Sequence, residues 1–184
     1  MKKILAGHEV VSMAEAGIHD DIVEDGVTFE ENALKKATFI FNRLKSWIIA
    51  DDSGLCIEAL DNAPGVYSAR WAGENSSDQA KVDKTLMEMK DVPEGKRGAF
   101  FESAAVLLSP DGKEYVFSDR VYGKIALAPH GTPLSKLPYD SIFIPEGCEQ
   151  TFAEMPAEVK NAMSHRGLAF KKLKEFLDTI EIPL

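Results

Sequence analysis

The chain has 184 residues, 45% of them hydrophobic and 28% charged, which suits one soluble globular domain with a substantial core. Its formal net charge of −9 argues against a duplex nucleic-acid binder, which needs a basic face to displace counterions, but leaves room for a nucleotide whose phosphates a divalent cation bridges. Cys56 and Cys148 form no metal-type spacing, no apolar run reaches membrane-spanning length and the N-terminus lacks a secretory leader, so a cytoplasmic protein without membrane contact is expected.

Met1 to Ala6 reads as a first strand and His8 to Met13 as a second, with only Gly7 between them. Parallel neighbours need a crossover of a dozen or so residues, so these segments must form one bent strand, reverse very tightly or stand apart. Thr28-Phe29-Glu30-Glu31 is a capping box, and Ala33, Ala37, Ile40, Phe41 and Leu44 follow at helical spacing, predicting a helix to about Leu44. Glu31 is fully explained as the reciprocal cap.

Trp47 to Ala50 is a buried-strand run that stops at Asp51 and Asp52, after which Ser53 and Gly54 are expected to turn the chain. Carboxylates at a strand's carboxyl end are well placed for chemistry, although Asp also caps turns. Adjacent residues on an extended segment point to opposite sides, so the two acids do not both face one ligand unless the turn rotates one. A helix is predicted over Asp78 to Met89, and strands over Phe100 to Leu108 and Glu114 to Val121. Ser109-Pro110-Asp111-Gly112-Lys113 forms a hairpin between those strands, and Gly123 to Leu127 can continue the pairing. Pro156 suits the first turn of a short helix carrying Lys160. Ser164 reads as the N-cap of a last helix with Ala169, Phe170, Leu173, Phe176 and Leu177 on one face. His165 and Arg166 then fall in its first turn, where exposed amides favour an electron-rich ligand.

ADDSGL, followed by EALDNAPGVYSARWAG, closely resembles the inosine triphosphate pyrophosphatase family. FIPEGCEQTFAEMPAEVKNAMSHRG, from Phe143 onward, and TFEENALKKA extend the likeness. The resemblance implies Mg2+-dependent hydrolysis of deaminated purine nucleoside triphosphates (ITP, dITP, XTP) to monophosphate and pyrophosphate, in a homodimer. The fold expected is α/β, a central mixed twisted sheet flanked by helices, with two lobes and the active groove between them, the 184 residues forming one pyrophosphatase domain.

The resemblance gives the metal to Glu31 and Asp52, general-base work to Asp52 with Asp51 nearby, and phosphate contacts to Ser53 and Lys160. It gives the base to Asp140, His165 and Arg166, and counts Tyr139 and Ser164 among the substrate-binding residues. Donors at His165 and Arg166 would read the O6 carbonyl of hypoxanthine or xanthine and reject adenine, whose amino group would leave a buried donor unpaired. Two departures stand out. The family's TGN-type phosphate loop and its lysine-bearing helix are missing from the N-terminal region. In SKLPYDSIF, Leu137 and Pro138 replace a stacking phenylalanine and a flexible glycine, which predicts a weaker or differently shaped base pocket. These departures keep a second reading open, a nucleotide-binding remnant with little catalysis. A hydrolase of the same fold with a shifted substrate, such as a modified pyrimidine triphosphate, is a third.

Overall fold

The computed structural model describes Leu5, residues 7–134 and residues 136–180. In chain order the helices and strands are α1 (Phe29–Leu44), β1 (Ile48–Ile57), α2 (Asp78–Glu88), β2 (Gly98–Leu108), β3 (Glu114–Ile125), β4 (Phe143–Pro145), α3 (Ala157–Met163) and α4 (His165–Leu177). The strands form one open sheet in the order β1-β2-β3-β4, so the expected α/β architecture is observed. The β2–β3 hairpin closes as its turn residues dictate. Ser109 N donates to Lys113 O at 3.0 Å, Gly112 N donates to Ser109 O at 2.9 Å, and Gly112 sits at φ +83°, where a side chain is strained. No helix among the described residues is long and apolar enough to cross a membrane.

Two expectations are corrected. His8 to Met13 forms no strand; His8 N donates to Leu5 O at 3.1 Å, Ser12 N donates to Glu15 Oε2 at 2.7 Å, and the chain turns at residues 13–17. A single glycine supplies no crossover, so the segment has no ladder to join. The Met1 to Ala6 segment lies almost wholly outside the described residues. The strand that was to end at Asp51 instead continues through Asp51, Asp52, Ser53 and Gly54 to Ile57. The acidic side chains find partners on helices, so nothing forces the backbone to turn there.

The chain divides into two compact units. The first comprises Met1–Asp52, Ser103–Asp119 and His165–Leu184. Its cores follow the two-residue period of the strands. Trp47 and Ile49 of the β1 region join Ala105 and Leu107 of β2 in a cluster with Phe170, Leu173 and Leu177 of α4. Ile48 and Ala50 join Val106 and Leu108 in another, with Ala33 and Ala37 of α1. Helices α1 and α4 therefore cover opposite faces of this part of the sheet.

The second unit comprises Ser53–Glu102 and Arg120–Ser164. Its core centres on Phe101, Phe143 and Phe152, with ring centroids 4.7 Å (Phe101–Phe143) and 5.2 Å (Phe143–Phe152) apart. β4 pairs antiparallel with β3, setting Ile125 opposite Phe143 and Gly123 opposite Pro145. Gly123 is required there, since a Cβ would lie 2.3 Å from Ile144 O. Arg97, only 4% exposed, ties this unit together. Its guanidinium donates to Ile125 O (2.9 Å), Met89 O (2.7 Å), Val92 O (3.1 Å) and Ala126 O (3.1 Å). Arg97→Met would leave those carbonyls without this donor, at a cost of at least about 3 kcal/mol. Urea unfolding is expected to show that loss, with Arg97→Lys recovering only part of it.

Candidate active site

In the first unit β1 presents its two acids to different helices. Even-numbered Asp52 shares its face with Ile48 and Ala50 and meets α1. Lys36 Nζ donates to Asp52 Oδ1 at 3.1 Å, and Asn32 Nδ2 donates to Asp52 Oδ2 at 3.1 Å. Lys36 Nζ also reaches Glu24 Oε2 at 3.2 Å, so its ammonium lies between two carboxylates. Asn32 is fully buried and accepts from Gly26 N at 2.8 Å, which fixes which of its atoms faces Asp52. Asp52's side chain is 13% exposed. Burial pushes its carboxyl above the usual range, while Lys36 and Asn32 oppose the shift. A carboxylate with raised proton affinity, oriented by two fixed donors, has the character of a general base.

Glu31 opens the same helix. Its N–H donates to Thr28 Oγ1 at 3.1 Å, and its Oε2 accepts from Val27 N at 2.8 Å, so its carboxylate caps the helix one residue earlier than the expected reciprocal bond. A carboxylate so engaged keeps other lone pairs. The donors fit a hard divalent cation: Glu24 and Asp52 already hold one positive charge between them. No group of three or more His, Cys, Asp or Glu able to hold a metal occurs among the described residues.

Odd-numbered Asp51 shares its face with Ile49 and meets α4. Arg166 Nη2 donates to Asp51 Oδ1 at 3.1 Å and to Oδ2 at 2.8 Å. Alternation along the strand sends Asp51's carboxylate to α4 and Asp52's to α1, the separation that the extended backbone implies. His165, beside it in the first turn of α4, is buried. Ser164 is the extended residue immediately before that helix.

The second unit holds the remaining expected residues. Asp140 and Lys160 form an ion pair with side chains 6% and 12% exposed. Tyr139 Oη donates to Ser68 O at 2.8 Å, and burial pushes its phenol well above the usual range, so its hydroxyl acts as a tie within the fold. Ser68 Oγ in turn accepts from Leu55 N at 2.9 Å and donates to Gly65 O at 2.7 Å, linking the YSAR segment to β1. Lys136 N donates to Asp78 Oδ2 at 2.9 Å, which fastens the segment before Tyr139 to the start of α2. Ser53 follows Asp52 in β1. Three residues escaped the sequence reading: Glu24, Asn32 and Lys36. A signal existed for two of them, because Asn32 and Lys36 are polar residues four apart that interrupt the apolar stripe of α1.

The model of the Ham1 family matches residues 1–176. The chain belongs to the Ham1 family. The dITP/XTP pyrophosphatase of Geobacter sulfurreducens is 48% identical over 157 residues, covering 85% of this chain and 78% of that protein. That of Bacillus subtilis is 42% identical over 172 residues, covering 94% and 86%. Among solved structures, the Ham1 protein of Staphylococcus aureus superposes with a TM-score of 0.88 at 37% identity, covering 96% of this chain and 90% of that one. The Ham1 protein of Coxiella burnetii gives 0.89 at 33% identity, with coverage of 97% and 91%.

The Asp140–Lys160 pair of this Ham1 chain has a defined pH signature. Burial raises the Asp140 carboxyl and Lys160 opposes the rise. With the folded-state value above the unfolded one, the burial penalty is absent at low pH and sets in as pH rises through the folded value. Lys160→Met lifts that value further. Its destabilisation, about 3–5 kcal/mol at neutral pH, is expected to shrink towards about pH 4 as Asp140 takes up a proton. Urea midpoints at the two pH values measure this, and Asp140→Leu in the same chain is expected to restore neutral-pH stability.

Proposed function

We propose that this Ham1 chain hydrolyses deaminated purine nucleoside triphosphates, ITP, dITP and XTP, to the monophosphate and pyrophosphate with Mg2+. The observation that carries the reading is Asp52, half-buried on β1 and oriented by Lys36 and Asn32. The names of the relatives, dITP/XTP pyrophosphatase, support the substrate class.

In this reading Asp52 takes a proton from a water that attacks the α-phosphorus. The new P–O bond forms as the bridge to the β-phosphate breaks, and pyrophosphate leaves with the bonding electrons. Lys36 exchanges its carboxylate partners for phosphate oxygens. Mg2+, held by Asp52 with Glu24 or Glu31, would supply charge neutralisation of the triphosphate. Ser53 and Lys160 contact phosphates, and Asp140, Ser164, His165 and Arg166 serve the base, with Tyr139 holding its segment in place. A cytoplasmic setting agrees with the free thiols of Cys56 and Cys148. The homodimer implied by the resemblance belongs to the same proposal and is tested by sedimentation.

Pyrophosphate release from ITP, with ATP as control, is the deciding assay. Selective release from ITP is expected. Asp52→Asn is expected to lower kcat at least about 10²-fold with the circular dichroism spectrum unchanged, and wild-type turnover in that variant removes Asp52 from its role. The departures from the family pattern keep one other reading in view, a nucleotide-binding remnant, which predicts Mg2+-dependent ITP binding without pyrophosphate release.

A further inference from the structure

Asp51 stands beside the proposed base, yet the chemistry just described gives it nothing to do. Its partner is fixed by the strand: Asp51 lies on the α4 side of β1 and Asp52 on the α1 side, following the clusters of Ile49 and Ala50. The carboxylate is 9% exposed, and both of its oxygens accept from Arg166 Nη2, at 3.1 and 2.8 Å. The Arg166 side chain is 47% exposed, so it can meet a ligand without leaving Asp51. A free arginine side chain samples many rotamers and loses that freedom on binding. One anchored to a strand that packs against α4 on one face and α1 on the other has already lost it.

We propose that Asp51 is a positioning residue for Arg166, and through it a determinant of base selectivity, while its neighbour Asp52 serves the phosphate chemistry. This inference rests on the reading of Arg166 as a contact to the base. An anchored donor favours a carbonyl at the purine 6-position and leaves itself unpaired against an amino group. A loose one can swing away from the amino group, so release of Arg166 erodes discrimination.

The experiment compares kcat and KM for ITP and ATP in the full chain, for wild type, Asp51→Asn, Arg166→Ala and the double variant. Asp51→Asn is expected to raise KM for ITP about 10-fold, with kcat changed by less than about 3-fold, and to lower the ITP-to-ATP ratio of kcat/KM about 10-fold. The double variant is expected to be no less selective than Arg166→Ala alone, because Asp51 acts only through Arg166. A fall in kcat of about 10²-fold with KM unchanged overturns the proposal and makes Asp51 a catalytic acid. Equal losses for ITP and ATP also overturn it, since a purely structural role has no base preference. Asp51→Glu, which keeps the charge but moves the carboxylate by one methylene, is read in the same way should the amide variant not fold. A wild-type chain without turnover counts against the activity rather than against Asp51, and titration calorimetry with ITP and ATP then supplies the affinity ratios.

Discussion

The two-residue period of β1 is the constraint on which the candidate chemistry depends. Trp47, Ile49 and Asp51 belong to one face, and Ile48, Ala50 and Asp52 to the other. The apolar members set the register, because each is packed against a helix and a slip of one residue would move every one of them to the wrong side. The acids inherit that register at no extra cost in specificity. Hydrophobic burial upstream thus decides which carboxylate meets Lys36 and Asn32 and which meets Arg166.

The chain is acidic overall, yet its candidate site residues occur as opposite-charge pairs: Asp52 with Lys36, Asp51 with Arg166, Asp140 with Lys160. Each carboxylate is largely buried and would be costly without its cation. The same arrangement prepares the cations for a polyanion, since a phosphate or a carbonyl offers a lysine or arginine what the carboxylate already does. A protein with a formal charge of −9 can in this way present local positive groups to a triphosphate.

The segment from Lys136 to Pro145 is held by its surroundings more than by its own sequence. Leu137 and Pro138 leave no π face and little backbone freedom at the place of a phenylalanine and a glycine. The segment is held instead by Tyr139 on Ser68, by Asp78 on the amide of Lys136 and by the pairing of β4 with Gly123 of β3. Rigidity here comes from hydrogen bonds to the rest of the unit rather than from the local sequence.

Much of this was legible without coordinates. The capping box placed α1, the apolar periodicity placed α2 and α4, and the turn residues placed the β2–β3 hairpin, because each rests on local rules of dihedral preference and spacing. Alternation along an extended chain already separated Asp51 from Asp52. The family was legible in the long ordered match from ADDSGL to SHRG. What the sequence could not decide was where β1 ends, because that depends on distant partners that satisfy the two acids within the strand. Nor could it single out Glu24, Asn32 and Lys36, or assign Arg166 to Asp51, 115 residues away. Those contacts are made by elements far apart in the chain and brought together by packing, and only the tertiary structure carries that information.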